Sequence, residues 1–198
     1  MKVVALHGQT MNGAVLREWL SFLDDVELVC PDAPHPCSEA SVERLYALWE
    51  RPRLPGPHLT WWEPAEEGRV YRGWATTRDA IAPLLEGEPV TLLGFGQGAI
   101  LAGALAALSA SEELPPIARA ILVAGFAPRA DALQPYLDYV VEIPSLHVWG
   151  EHDPLAVACD TLVDLFDPAT REVVTWDGGH EIPATGPAAE AIARFARG

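Results

Sequence analysis

A doubly wound α/β domain built on a six-stranded, mostly parallel sheet is the architecture that three features of this chain predict. Short apolar runs recur from end to end, each bounded by Gly or Pro; segments of helical period alternate with them; and polar residues capable of chemistry cluster just after the runs. The runs are 2–6 (KVVAL), 26–30 (VELVC), 90–95 (VTLLGF), 117–124 (IARAILVA), 145–149 (SLHVW) and 171–176 (REVVTW). Their unbroken hydrophobicity, in place of strict alternation, marks strands covered on both faces. Between them, 12–23 opens on a capping Asn12 and carries Leu16, Trp19, Leu20 and Leu23 at i, i+3, i+4, i+7 spacing. Segment 97–110 is rich in Ala and Leu, 154–166 places Leu155, Ala158, Leu162 and Phe166 on one side, and 187–197 opens with Pro187 in its first turn. The sheet order expected of such a chain is 2-1-3-4-5-6.

Composition bounds the function. The 198 residues carry 13 Lys+Arg against 28 Asp+Glu, a net charge of −15, which argues against nucleic acid and against an anionic membrane surface. The length suits one domain over residues 1–198, and 49% hydrophobic residues suffice for a core without staples. Cys30, Cys37 and Cys159 are odd in number and lack C-x-x-C spacing, as reduced thiols of a cytoplasmic protein would be. The first apolar run is too short for a signal sequence or a membrane span. No group of ligating residues has metal spacing, and no cofactor is expected.

One stretch breaks the alternation. Residues 31–74 are far longer than a crossover needs and hold seven prolines and four tryptophans (Trp49, Trp61, Trp62, Trp74). A long, aromatic, proline-stiffened insertion predicts a lid or pocket wall, or else a satellite core under a loop. If the chain is extended at Trp61 and Trp62, their side chains point to opposite sides, so at most one need face a ligand.

In open α/β sheets ligands bind at the carboxyl ends of the strands. His7-Gly8-Gln9-Thr10 follows the first strand and Gly94-Phe95-Gly96-Gln97-Gly98 ends the third. Gly150-Glu151-His152-Asp153 follows the fifth and Gly178-Gly179-His180-Glu181 the sixth. An acid and then a histidine after late strands is the partner order of an α/β-hydrolase triad, whose nucleophile sits in a G-x-S-x-G elbow after the third strand. Here the elbow reads Gly94-Phe95-Gly96-Gln97-Gly98: its glycines are present and the serine is replaced by Gly96.

Taken in order, Leu6-His7-Gly8 with Asn12, Asp32-Ala33-Pro34-His35, Trp61-Trp62-Glu63, the 94–99 elbow, Ala124-Gly125-Phe126, 143–148, 150–153 and 178–183 make the chain resemble the FSH family of serine hydrolases. These are α/β-hydrolases acting as esterases and thioesterases. The resemblance implies that Asp153 and His180 are the acid and base, that backbone N–H groups near Gln9 and of Gln97 form the oxyanion hole, and that the nucleophile position is Gly96. Thr10, His35, Trp61 and Trp62 are the candidate substrate-binding residues.

Loss of the serine from such a triad costs on the order of 10⁶ in turnover, leaving about 10³–10⁴ over water. Ser109 lies far along the next helix, and Cys30 and Cys37 flank an edge strand, so none is placed to substitute. Three readings of Gly96 follow. His180, held by Asp153, could act as general base on water or on a small acyl substrate, giving hydrolysis, elimination, isomerisation or cyclisation. The chain could bind a ligand without turnover, either as an inactive ligand-binding relative, since Gly relieves the strained elbow backbone, or as a serine esterase or thioesterase from which the nucleophile has been removed. Finally, Gly94-x-Gly96-x-x-Ala99 also fits a dinucleotide fingerprint, but no acid ends the following strand to hold a ribose. Arg51, Arg53, Arg69, Arg72 and Arg78 fall in or beside the insertion, where they could offset the acidic surface at a pocket mouth.

Overall fold

The computed structural model describes residues 2–49 and 52–198. One sheet contains β1 (Lys2–Leu6), β2 (Glu27–Val29), β3 (Val90–Phe95), β4 (Ile117–Val123), β5 (Ser145–Gly150) and β6 (Arg171–Trp176). Its order is β2-β1-β3-β4-β5-β6, as predicted, and every neighbouring pair is parallel. All six strands therefore end on one side, which gathers their following loops at a single edge.

The alternation of side chains along each strand feeds two apolar layers. Val4, Leu6, Leu92 and Leu122 join one layer, and Val3, Ala5, Leu93, Phe95 and Val123 join the other. On the first side lie α3 (Trp74–Ile81), α4 (Gln97–Ala110) and α5 (Ala156–Val163). On the second lie α1 (Gly13–Trp19) and α6 (Gly186–Arg197). Val3, Val4, Ala5 and Leu6 are wholly inaccessible to solvent. At about 1.5–3 kcal/mol for each large aliphatic side chain, β1 is a principal anchor of the core. Helix α4 is apolar all round and buried from Gln97 to Leu108, because the sheet covers one side while Leu162 of α5, residues 133–137 and Trp61 and Trp62 of the insertion join the same apolar layer.

Some boundaries differ from expectation. The helix predicted over 12–23 stops at Trp19, where Leu20 caps it, while Leu20 and Leu23 stay buried in the turn that follows. Asn12 does cap α1, its Oδ1 accepting the Val15 N–H at 3.0 Å, and its Nδ2 also donates to the carbonyls of Pro55 and Pro57. The 31–74 insertion is more regular than a loop. It contains α2 (Glu39–Trp49) and two antiparallel ribbons, one pairing His35–Pro36 with Leu59–Thr60 and the other Glu63–Ala65 with Val70–Arg72. Among the described residues no helix is long and apolar enough to cross a membrane, and no group of three or more His, Cys, Asp or Glu could hold a metal ion.

Candidate active site

The elbow follows from its glycines. A Cβ on Gly98 would lie 1.9 Å from the Leu6 carbonyl oxygen and one on Gly94 would lie 2.2 Å from that of Gly98, so only hydrogen allows α4 to start this close to the strands. Between them Gly96 adopts φ +54°, ψ −116°, a conformation L side chains rarely take, and its N–H donates to the Val123 carbonyl at 2.9 Å. The elbow thus places residue 96 at the head of α4, where the first N–H groups lack intrahelical acceptors.

Asp153 and His180 come from the loops after β5 and β6. Asp153 is fully buried at its side chain; Oδ2 accepts from His180 Nδ1 at 2.8 Å and Oδ1 accepts the Leu155 N–H at 2.8 Å. With Nδ1–H committed to the carboxylate, Nε2 is left as the basic nitrogen of the neutral ring. It faces Gly96: a Cβ built there would lie 3.3 Å from Nε2 and 3.8 Å from the Gly8 Cα. The gap between imidazole and elbow is therefore the size of a small polar group.

Two aromatic side chains pack against the His180 ring. Trp49, at the end of α2, stacks on one face at a centroid distance of 4.0 Å and 4° between planes, and Phe95 packs at 4.9 Å. Around this centre is a cavity of about 480 Å³ walled by aromatic and aliphatic side chains, among them Trp19, Trp49, Trp62, Tyr71, Phe95 and Phe126. Gln9, Thr10, Gly96, Gln97, Trp62 and His180 line it, with Asp153 behind the imidazole.

Two sequence-derived candidates are placed elsewhere. Trp61 is fully buried below the cavity, its Nε1–H donating to the His7 carbonyl at 2.8 Å, so of the tryptophan pair only Trp62 reaches the wall. His35 is also absent from the wall; its Nε2 lies 3.1 Å from the Gly73 carbonyl and fixes the entry to α3. Each is held away from the cavity by its contact with a backbone carbonyl.

The sequence reading missed Trp49 and the side chain of Gln97. Leu45, Leu48 and Trp49 form an i, i+3, i+4 stripe on α2, an apolar face the sheet does not use, and all three line the cavity. The Gln97 carboxamide is buried: Oε1 accepts the Trp61 N–H at 2.9 Å and Nε2 donates to the Trp62 carbonyl at 3.0 Å.

Charge at the cavity contrasts with the chain's overall −15. No carboxylate is among the described lining residues, and Arg53 is the one Lys or Arg there, paired with Glu39 at 2.5 Å. Arg69 and Arg78 are spent on Asp131 and Asp79, and Arg51 lies outside the described residues. The thiols do not supply a nucleophile: burial pushes Cys30 and Cys37 up to about 11 and Cys159 to about 12.

The model of the serine hydrolase (FSH1) family matches residues 1–192. The chain belongs to that family. The esterase OVCA2 of Mus musculus is 33% identical over 183 residues, spanning 85% of this chain and 81% of its own length. The esterase AGAP003155 of Anopheles gambiae is 31% identical over 218 residues, spanning 100% of this chain and 77% of its own. Among solved structures, the acyl-protein thioesterase 2 of Zea mays superposes with a TM-score of 0.68 at 20% identity, over 99% of this chain and 92% of that one. SOBER1 of Arabidopsis thaliana gives 0.68 at 15% identity, over 100% and 97%. At such identities these two show the shared α/β-hydrolase fold and nothing finer. Within this serine hydrolase family, the present chain carries Gly at the centre of its elbow.

Proposed function

We propose that this chain hydrolyses an uncharged ester or thioester by direct attack of water, with His180 as general base and no acyl-enzyme intermediate. The observation that carries the reading is the orientation of His180: Nδ1 is bound to buried Asp153 at 2.8 Å while Nε2 faces the open position beside Gly96. A water in that space gives its proton to Nε2 as its oxygen bonds to the acyl carbon. The tetrahedral oxyanion is held by the N–H groups of Gln9 and Gln97. Collapse breaks the bond to the alkoxide or thiolate, which takes the proton back from the imidazolium, so acid and alcohol or thiol leave and His180 is neutral again. The apolar wall, with Arg53 paired to Glu39 and no carboxylate among the described lining residues, fits an uncharged acyl chain.

The test is turnover of a panel of short and medium acyl esters by the chain and by His180→Ala. The expected result is loss to background in the variant, one ¹⁸O from labelled water in the acid, and no initial burst. Equal turnover by both forms would refute the mechanism. A second reading, ligand binding without turnover, is favoured by Gly96 at φ +54°, where glycine removes the strain a serine would carry. Saturable binding of an ester with no product formed would support it.

A further inference from the structure

The oxyanion hole assigned above has halves on two separate loops, and one short piece of the insertion grips both. On the β1 side, residues 8–11 form a turn closed by the Met11 N–H donating to the Gly8 carbonyl at 3.2 Å, with Thr10 at φ +66°. A non-glycine residue holds such a conformation only where its surroundings over-determine it. Here the surroundings are residues of the insertion. The Thr10 N–H donates to the Leu59 carbonyl at 2.9 Å and the Leu59 N–H donates to Met11 at 3.1 Å. The Thr10 carbonyl accepts from His58 Nδ1 at 2.8 Å and from the Tyr46 hydroxyl at 3.4 Å.

On the elbow side, the residue carrying the other donor is held two and three positions further along the same piece of chain. Trp61 donates its N–H to Gln97 Oε1 at 2.9 Å, Trp62 accepts from Gln97 Nε2 at 3.0 Å, and the Thr60 hydroxyl lies 3.0 Å from Oε1. Between the two grips, the Trp61 indole donates to His7, at the start of the first loop.

We propose that residues 58–62 act as a splint across the oxyanion hole, with His58 and Gln97 as positioning residues that set the distance and angle between its two N–H groups. This rests on the assignment of Gln9 and Gln97 as the oxyanion donors. Neither side chain touches the reacting atoms; each acts through the backbone it holds. The amide donors cost no reorganisation at the moment of reaction only while the two loops stay in register. The hole is thus completed by the insertion and not by the sheet alone.

The test separates holding from catalysis. His58→Leu removes the donor to Thr10, whereas His58→Asn keeps an amide donor where Nδ1 stands; Gln97→Met removes the elbow grip at similar volume. All three are made in the Gly96→Ser background, and the rate of phosphonylation by a fluorophosphonate is resolved into binding and chemical steps, a readout independent of whether the native chain turns over esters. Expected for His58→Leu and Gln97→Met is a tenfold or greater fall in the chemical step, binding within threefold, an unchanged pH profile and most of the rate restored in His58→Asn. Hydrogen exchange in peptides covering 8–11 and 96–98 should rise in the first two variants, and this is measured in the native chain as well. Unchanged exchange overturns the splint. Faster exchange with an unchanged chemical step overturns its catalytic role. Failure of the parent Gly96→Ser to label indicts the site assignment itself, and exchange alone then decides whether the segment holds the loops.

Discussion

Replacing Gly96 by Ser probes the site at the position where the chain carries Gly within a serine hydrolase family. The added Cβ would meet His180 Nε2 at 3.3 Å, Cε1 at 3.7 Å and the Gly8 Cα at 3.8 Å, so the imidazole must give by a few tenths of an ångström to admit the side chain beside it. It must accept φ +54°, ψ −116°, which costs an L-residue on the order of 1–3 kcal/mol. For a chain of this length that corresponds to a fall in Tm of roughly 2–12 °C. Against this stands the chemistry. Loss of a triad serine costs about 10⁶ in turnover, about 8 kcal/mol of barrier, so restoring one to an intact dyad should raise hydrolysis of an activated ester by about 10³-fold or more. The assays are p-nitrophenyl ester hydrolysis, labelling by a fluorophosphonate and thermal melting. The double variant Gly96→Ser/His180→Ala should lose both gains. A Gly96→Ser protein that melts cooperatively yet neither labels nor hydrolyses would refute the claim that His180 Nε2 is aimed at residue 96.

Asp153→Asn removes the carboxylate that fixes the His180 tautomer and should lower turnover by about 10³–10⁴, measured as kcat in the Gly96→Ser background. Trp49→Ala uncovers one face of His180 and shortens the cavity wall; a stacked pair is worth about 0.5–1.5 kcal/mol, so kcat/KM for apolar esters should fall by about 2–10-fold while melting changes little. His147 is buried beside Ser145, and burial, reinforced by Arg171, pushes it down to about 4 from 6.5. The unfolded chain then binds the extra proton between those values. Stability is full above about pH 6.5 and declines by about 3 kcal/mol as pH falls to about 4, a component that denaturant titrations should show missing in His147→Gln. The three thiols, held at about 11 to about 12, should react with a disulfide reagent at pH 8 at least tenfold more slowly in the native protein than after unfolding.

Much of this was legible in local pattern because the cause is local. The runs at 2–6, 90–95, 117–123 and 145–150 become strands buried on both faces, whereas 27–29 and 171–176, also read as covered strands, stay partly exposed because each is an edge strand with a neighbour on one side only. Gly94 and Gly98 announce an elbow because any side chain there strikes a backbone atom within 2.2 Å. The order Asp153 then His180 is a consequence of strand order, and their 2.8 Å contact follows once β5 and β6 are neighbours. Asn12 reads as a cap because the acceptor it supplies serves an N–H three residues away.

What the chain's local pattern left open is everything that depends on where the insertion lands. Trp61 and Trp62 are adjacent and chemically identical, yet one is spent on the His7 carbonyl and the other lines the cavity. His35 could have faced a ligand, and a carbonyl in the turn before α3 claims it instead. Trp49 covers a histidine 131 positions away, and the Gln97 carboxamide is satisfied by backbone 35 and 36 positions away. Such partners are chosen by packing over long sequence separations, where no periodicity carries information. Local pattern was enough for the sheet, the elbow and the strand order that brings Asp153 to His180; which aromatic rings wall the site and which hydrogen bonds hold its loops follow instead from burying an insertion against a completed sheet.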